Sequence, residues 1–375
     1  MAPRELRAWL RLALTPQVGR TTARRLLAAL GLPEQVFEAS AAALSQLATP
    51  AQVAALRAKP EGLDALADRT DEWLAEAPGQ RRLVTLAEAD YPAALLQIED
   101  PPLMLWLAGA RLHRAGGLCW PEAIAVVGSR NPTPQGKLNA HAFARSFAAS
   151  GWTVVSGLAL GVDGAAHEGA LEGAGPERLA TLAVVGTGLD RVYPRQHLDL
   201  AHRIAERGLL ISEYPLGTPP LSENFPLRNR LISGLSRGTL VVEAALRSGS
   251  LITARIAAEQ GREVFAIPGS IHSAQARGCH ALLKQGAKLV ETAQDVLDEL
   301  VTGHTPPGPS QPASVPADEL DPVLEAAGFD PVSFDALQAR TGLPTQTLQA
   351  HLLELELSGA LARLPGGLFQ RLATT

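Results

Sequence analysis

Short runs of apolar, largely β-branched residues recur through the middle of the chain, separated by stretches compatible with helices. Runs that are apolar at every position are typical of strands buried on both faces of a parallel sheet. Their alternation with helices predicts a Rossmann-like, doubly wound α/β core. The predicted core strands are residues 124–127, 153–155, 182–185, 209–211, 240–242, 264–267 and 289–290, preceded by two short strands at 82–85 and 103–107.

The first segment, to about residue 85, has apolar residues at helical spacing and predicts a small helical domain. The turn TPQVGR between its first two helices has the pattern of a helix-hairpin-helix or SAM-like domain. Such hairpins can hold a DNA phosphate on the backbone N–H groups of a helix N-terminus. Gln17 stands where the first glycine of the turn is usual, and only Gly19 is present. Simple helical packing and phosphate contact therefore both remain open.

The chain beyond the core divides into a linker and a small terminal domain. Residues 301–318 contain five prolines and no periodic apolar pattern, which indicates a solvated, semi-extended linker. Three helices and a terminal hairpin follow, which is the pattern of a winged helix. The predicted organisation is a helical domain at 1–85, a core at 86–300, the linker at 301–318 and a winged-helix domain at 319–375.

Composition excludes several classes of protein. Of the 375 residues 46% are hydrophobic and 19% charged, which excludes a wholly disordered chain. No apolar run approaches the roughly 18 residues of a membrane span, and the N-terminus lacks the cleavage site of a secretory signal. Cys119 and Cys279 have no metal or redox spacing. We therefore expect a cytoplasmic protein without a metal or other cofactor.

The net charge of −5 excludes a protein covered in positive charge, but it permits a local basic cleft. Residues 120–300 carry 17 basic and 17 acidic side chains. Within them, residues 228–262 contain six arginines against Glu243 and Glu259, a local excess of four positive charges.

Candidate ligand groups follow the predicted strands, because open parallel sheets bind ligands beyond the carboxyl ends of their strands. After the first core strand come Gly128, Ser129 and Arg130, which offer close backbone approach, a hydroxyl and a bidentate guanidinium. The stretch GTGLDRVYP does not fit a nicotinamide site, since Asp190 and Arg191 occupy the helix start where a third glycine is needed.

The stretch FPLRNR follows the fourth core strand and is the richest in binding groups. If it is extended, Arg228 and Arg230 point to the same side, and Asn229 can cap the helix that follows. Together with the ring of Phe225 these groups match a single nucleic-acid strand, with phosphates on arginine and a base on the ring. The alternative is structural, with both arginines paired to Glu213 and Glu223 and Phe225 in the core.

A second phosphate-binding site is predicted at the loop after the fifth core strand. Ser248, Gly249 and Ser250 precede Thr253 in SGSLIT, and Ser250 with Thr253 is a plausible N-cap pair. A helix N-terminus with hydroxyls and free N–H groups favours an anion. An ordinary helix cap is the alternative.

Other motifs are weaker. Asp163 and His167 are four residues apart and could share a helix face as a metal or acid–base pair, but no third ligand has suitable spacing. A capping aspartate and a structural histidine are the favoured interpretation. No G-x-x-x-x-G-K-[ST] loop exists in the sequence, so ATP hydrolysis is not indicated.

The ordered series of motifs over residues 85–295 resembles the DprA/Smf family of DNA-processing proteins. The motifs are GSR, SGLALGVDGAAHEGAL, GTGLDRVYP, ISEYPLGTPP, FPLRNRLISGLS, SGSLITARIAAEQGREVFAIPG and GCHALLKQGA. The resemblance implies a non-enzymatic protein of natural transformation that binds and protects single-stranded DNA. It also implies a homodimer that brings the recombinase RecA onto DNA, which can be coated with single-strand-binding protein.

The same resemblance implies the DNA contacts. The strand-binding pocket would be formed by Arg130, Phe225, Arg228, Asn229 and Arg230. Gly128 and Ser129 of the GSR motif would lie beside it. The loop Ser248–Thr253 would add backbone and hydroxyl contacts, and Lys284 of GCHALLKQGA is a weaker candidate. His197 and His280 depart from the family, which usually has asparagine at both positions.

One rival hypothesis comes from a different class. Rossmann-like hydrolases of nucleoside monophosphates pair a phosphate-binding loop with a catalytic glutamate, for which Glu243 is the candidate. The PGGxGT loop of such enzymes is missing from this sequence.

The winged helix is unsuited to duplex DNA by its charge. Residues 319–375 carry three basic and seven acidic side chains, and approach to a polyanion costs electrostatic energy. We expect this domain to dock a protein partner or its own core through the region of Leu352, Leu353, Leu355 and Leu357 or through residues 365–367.

Overall fold

The computed structural model describes residues 2–113, 120–302 and 321–372. The N-terminal segment is helical, as expected, and its helices pack through Trp9, Leu10 and Leu26. Between α1 and α2, Gln17 adopts a left-handed backbone conformation with φ of 65°, while Gly19 caps the second helix in an extended conformation. The helices are α1 (Pro3–Leu14), α2 (Arg20–Leu30), α3 (Pro33–Glu38), α4 (Ala41–Ser45), α5 (Pro50–Arg57) and α6 (Leu63–Glu76).

The core is a nine-stranded sheet with the order β1-β2-β6-β5-β4-β3-β7-β8-β9. Strand β2 is antiparallel to both of its neighbours, and the pairs from β6 to β9 are parallel. The Rossmann-like prediction is therefore confirmed. The strands are β1 (Arg81–Thr85), β2 (Met104–Ala108), β3 (Ala123–Val127), β4 (Thr153–Ser156), β5 (Thr181–Val184), β6 (Leu209–Ser212), β7 (Gly238–Val241), β8 (Glu263–Ala266) and β9 (Lys288–Leu289).

Helices cover both faces of this sheet. One apolar core includes α8, α9, α10 and α14, and the other includes α7, α11, α12 and α13, so every central strand is buried on both sides. The helices are α7 (Ala93–Leu96), α8 (Pro134–Ala149), α9 (Val162–Gly173), α10 (Leu198–Arg207), α11 (Asn224–Gly234), α12 (Gly249–Glu259), α13 (Arg277–Lys284) and α14 (Ala293–Thr302).

The strand order reverses at β3. The chain proceeds from β3 outward through β4, β5 and β6, then returns to place β7 on the other side of β3. The connections that leave β3 and β7 therefore diverge, and a crevice opens at their carboxyl ends. This crevice holds the candidate site.

The boundary between the helical domain and the core lies earlier than expected. The first predicted domain ends at residue 85, but β1 belongs to the core sheet through its pairing with β2. The N-terminal helices also share one apolar cluster with the sheet, in which Trp9 and Leu10 pack with Leu83 and Trp106.

The C-terminal domain is a winged helix, as expected. Leu352 and Leu355 are buried in its own core, so their prediction as docking residues is wrong, whereas Leu353 and Leu357 are exposed. Most of the predicted linker lies outside the described residues, and residues 301 and 302 belong to α14. The elements are α15 (Pro322–Ala327), β10 (Val332–Ser333), α16 (Phe334–Thr341), α17 (Thr345–Leu357), β11 (Leu361–Leu364) and β12 (Leu368–Arg371). No helix among the described residues is long and apolar enough to cross a membrane.

Candidate nucleic-acid interface

A cavity of about 460 Å³ lies at the carboxyl ends of β3 and β7. The structure brings ten of the twelve predicted site residues together around it and leaves Arg230 and Lys284 outside. The ten are Gly128, Ser129, Arg130, Phe225, Arg228, Asn229, Ser248, Gly249, Ser250 and Thr253.

The loop after β3 forms one wall of the cavity. The Ser129 N–H donates to the Glu243 carbonyl at 2.7 Å, and this bond ties the loop to the segment that follows β7. Gly128 must be glycine, because a Cβ there would lie 2.9 Å from the same carbonyl. Arg130 is exposed, and its guanidinium carbon lies 5.8 Å from the centre of the Phe225 ring. Within the described residues Arg130 forms no ion pair, so its positive charge is available to a ligand.

The FPLRNR stretch is helical, and the expectation of an extended segment before the helix is wrong. Helix α11 begins at Asn224, so Pro226 lies in its first turn, where a proline costs no hydrogen bond. Residues two apart on a helix point to nearly opposite sides, since each residue turns the helix by about 100°. Arg228 and Arg230 therefore face different surroundings. Asn229 is inside the helix, and its Oδ1 accepts from Arg228 Nε at 3.1 Å instead of capping.

Arg228 is almost fully buried beneath the cavity. Its Nη1 donates to the Gly157 carbonyl at 2.7 Å and to the Val184 carbonyl, so it joins α11 to the ends of β4 and β5. Burial lowers the pKa of Arg228 to about 10, and the nearby Asp163 carboxylate partly opposes that shift. At physiological pH Arg228 remains charged, and Asp163 lies near it among the residues that line the cavity.

Arg230 points away from the cavity and is ion-paired. Its Nη2 and Nη1 lie 2.6 and 2.8 Å from the two carboxylate oxygens of Glu213, a bidentate arrangement. Its Nε donates to the Asp100 carbonyl at 3.0 Å. The structural alternative for the two arginines therefore holds for Arg230, with Glu213 as the partner.

The same carboxylates reach the N-terminal domain. Asp100 accepts from Arg20 Nε and from Arg24 Nη1, each at 2.6 Å. Burial alone would raise the pKa of Asp100, but the hydrogen bonds and charges of Arg24, Arg20 and Arg230 outweigh it and lower that pKa. We call these five residues, Arg20, Arg24, Asp100, Glu213 and Arg230, the ion-pair network. It links the helical domain to α11.

The N-cap of helix α12 lies two residues before Ser250, the predicted cap. The cap is Ser248, whose Oγ accepts from the Ser250 N–H at 3.4 Å and lies 2.7 Å from the Ser250 Oγ. Thr253 is buried within the helix and does not cap it. Gly249 is exposed, and a Cβ there would meet nothing within 4 Å.

Arg247 is a cavity residue that the sequence analysis missed. It is exposed, lines the cavity beside Ser248, and has no ion pair or hydrogen bond within the part of the chain that the structure describes. Its position next to SGSLIT, within the basic stretch of residues 228–262, could have identified it from the sequence. Asn131 and Gln275 also line the cavity. Lys284, by contrast, is exposed at the end of α13 and outside it.

Glu243 has a structural environment. Its Oε2 accepts from the Thr133 N–H at 2.8 Å and its Oε1 from the Thr133 hydroxyl at 2.5 Å, at the start of α8. Burial raises the pKa of Glu243, and the Thr133 hydrogen bonds partly oppose that shift. Its side chain does not line the cavity. The carboxylate that the hydrolase hypothesis needs as its catalytic group therefore does not face this site.

Asp163 lines the cavity, but its hydrogen bonds, like those of His167, hold the fold together. Asp163 Oδ2 accepts from the Gly157 and Ala159 N–H groups at 3.1 and 3.3 Å. Burial lowers the pKa of His167 to about 3, and its Nδ1 lies 2.7 Å from the Thr181 hydroxyl. Among the described residues no group of three or more His, Cys, Asp or Glu side chains could hold a metal ion.

Residues 82–301 match the family model of DNA recombination-mediator protein A, and residues 305–367 match that of the DprA winged helix domain. The chain belongs to the DprA family. It is 43% identical to protein Smf of Escherichia coli over 303 residues, which are 79% of this chain and 78% of that protein. Membership makes it a DNA-processing protein of the recombination-mediator class.

The similar solved structures include two of DNA processing protein A. The X-ray structure of DNA processing protein A from Streptococcus pneumoniae has a TM-score of 0.62 and 34% identity, covering 80% of this chain and 98% of that one. DNA processing protein A from Helicobacter pylori has a TM-score of 0.52 and 32% identity, covering 60% and 98%. The latter structure is described as giving insight into a single-stranded DNA binding mode.

Proposed function

We propose that this member of the DprA family binds single-stranded DNA in the cavity between the β3 and β7 loops. The observation that carries the proposal is the pair of exposed arginines, Arg130 and Arg247, which line the cavity without ionic partners among the described residues. Two unpaired guanidiniums in a domain of balanced charge are suited to bind phosphates of one strand.

The remaining cavity groups take complementary roles in this proposal. Phe225, half-buried at the rim beside Arg130, offers a ring for a base. The N-terminus of α12, with Ser248, Gly249 and Ser250, offers N–H and hydroxyl donors to a phosphate. Arg228 contributes charge from below, because its burial leaves little of it to touch a ligand. The H. pylori relative, whose structure concerns a single-stranded DNA binding mode, supports the same ligand class.

We further infer that the chain loads RecA onto the bound strand, including strands coated with single-strand-binding protein, during natural transformation. The family description as a recombination mediator supports this role. In this proposal the chain acts in the cytoplasm as a homodimer, without catalysis and without a cofactor. RecA-dependent strand exchange on coated DNA, with and without the protein, tests the loading step.

The binding proposal is tested by fluorescence anisotropy with labelled single-stranded and duplex oligonucleotides across a salt series. We expect tighter binding of the single strand, with affinity falling as salt rises. Arg255 is the matched control, since it is an exposed arginine paired with Glu259 and outside the cavity. If Arg130→Ala and Arg255→Ala bind the single strand equally well, the cavity is not the binding site.

A further inference from the structure

Beside the cavity, the rings of Phe225 and Tyr193 form an aromatic pair. Their centroids are 5.4 Å apart and their planes are inclined by 37°. Arg130 lies near the same Phe225 ring, so Phe225 contacts both Arg130, which lines the cavity, and Tyr193. Tyr193 itself is not among the cavity residues. The aromatic surface that begins at Phe225 therefore continues beyond the cavity.

Tyr193 is unusual among the tyrosines of the described structure. Tyr91 and Tyr214 are mostly buried, and their hydroxyls donate to the Pro102 and Asn224 carbonyls. Tyr193 is 47% exposed, and its hydroxyl has no hydrogen-bond partner within the described residues. A ring exposed in this way contributes little to the core and leaves an aromatic surface open to a ligand.

The loop that carries Tyr193 is held firmly at several points. The Gly188 N–H donates to the Thr218 carbonyl at 3.1 Å, and Asp190 Oδ1 accepts from the Gly217 N–H at 2.8 Å. At the other end His197 Nδ1 lies 3.0 Å from the Leu158 carbonyl. A ring presented by an anchored loop loses little conformational entropy when a base stacks on it.

The loop also carries positive charge. Arg195, two residues beyond Tyr193, is exposed and has no ion pair within the described part of the chain. Arg191 is exposed as well, but it is paired with Asp190 at 2.8 Å. An exposed guanidinium two residues from an exposed ring suits single-stranded nucleic acid, which binds a phosphate on arginine and a base on the ring.

We propose that Tyr193 is a second stacking site for the bound strand, receiving the base next to the one at Phe225, with Arg195 close to the phosphate that follows. This inference rests on the proposed function, because it extends the path of the same strand. Duplex DNA cannot use the site, since its bases are paired and stacked on one another.

The test compares Tyr193→Leu, Tyr193→Phe and the control Leu198→Ala, an exposed residue further along the same segment. Leucine retains apolar contact with Phe225 but removes the ring, and thermal unfolding of each variant shows that the fold is kept. Affinities are measured for oligothymidylates of increasing length, starting from the shortest that the wild type binds.

We expect Tyr193→Leu to leave the affinity for the shortest oligonucleotide unchanged and to weaken binding of longer ones at least about fivefold. Tyr193→Phe and Leu198→Ala should bind all lengths as the wild type does. Photo-crosslinking of a 5-iodouracil strand, followed by peptide mapping, should identify the Tyr193 peptide. Equal affinities of Tyr193→Leu and wild type at every length would overturn the inference alone. A wild type that binds no single strand would overturn the proposed function as well.

Discussion

Helix α11 separates two arginine-rich regions that differ in what balances the positive charge. On one side Arg130 and Arg247 are exposed, with no carboxylate partner among the described residues. On the other side the ion-pair network surrounds Arg230 with Glu213 and Asp100, and most of that charge is buried. Composition cannot distinguish the two regions, because both are rich in arginine. The pairing of each guanidinium distinguishes a region that supports the fold from one that is free to bind.

The largest effect is expected from Arg230→Ala, which leaves the buried Glu213 carboxylate without its bidentate partner. We expect the free energy of unfolding to fall by about 3 kcal/mol. The loss lies at the lower end of the range for a broken buried pair, because Arg20 Nη1 still lies 3.3 Å from Glu213. Urea unfolding measures the loss, and anisotropy on the folded variant should give single-strand affinity near that of the wild type.

The matched control for that variant is Arg237→Ala, which removes an exposed arginine paired with Glu122 at 3.0 Å. An exposed pair contributes less than about 1 kcal/mol. Equal stability losses in the two variants would contradict the structural role of the ion-pair network.

The double variant with Arg130→Ala and Arg247→Ala is expected to lose affinity for single-stranded DNA but to keep its stability. Each substitution removes a charge-assisted hydrogen-bonding group, and single-strand affinity should fall at least about tenfold while stability changes little. The slope of log affinity against log salt should shrink by about 0.7 for each phosphate that is no longer neutralised. A salt titration by anisotropy measures both quantities, and an unchanged slope would exclude these two arginines as phosphate ligands.

A smaller effect is expected from pH through Asp100. Because the pKa of Asp100 is lower in the folded protein than its usual value of 3.8, its stabilising contribution is complete above that value. The contribution is lost as the pH falls through the folded pKa. Asp100→Asn should therefore destabilise the protein at neutral pH, and the difference from wild type should narrow as pH falls below about 4. Urea unfolding at a series of pH values checks this, and a constant difference would contradict it.

The smallest effect is expected from removal of the winged helix. A chain that ends at Thr302 should bind single-stranded DNA within about threefold of the full chain, because the cavity lies wholly in the core and the removed domain is acidic. The isolated residues 321–372 should not bind duplex DNA appreciably at physiological salt. Micromolar, salt-sensitive duplex binding by that domain would contradict the electrostatic argument.

The strands could be predicted from sequence because burial on both faces leaves an uninterrupted apolar run, as at residues 124–127. The helical conformation of α11 could not be predicted in the same way. Pro226 favours an extended neighbour in isolation, yet a proline is equally acceptable in the first turn of a helix. The separate environments of Arg228 and Arg230 depend on acceptors such as the Gly157 carbonyl and the Glu213 carboxylate, which only the folded topology brings near.

The sequence also did not show which leucines lie on the surface of the winged helix. Four leucines near residues 352–357 suggest one apolar surface, but the turn of α17 directs Leu352 and Leu355 inward and leaves Leu353 and Leu357 exposed. The net charge of the domain, in contrast, does not depend on how the chain folds, and its acidic character is evident from its residue counts.

The strand reversal at β3 has a consequence for synthesis of the protein. Thr133, just beyond the β3 loop, and its partner Glu243, just beyond β7, are 110 positions apart in the chain. The ribosome therefore releases the first wall of the cavity long before the second, and contacts of such large sequence separation form late because loop closure opposes them. A nascent chain that lacks β7 does not yet have the second wall of the proposed binding site. In the proposed function, binding of a single strand thus requires a chain that has been made and folded at least as far as Gln275, the last residue lining the cavity.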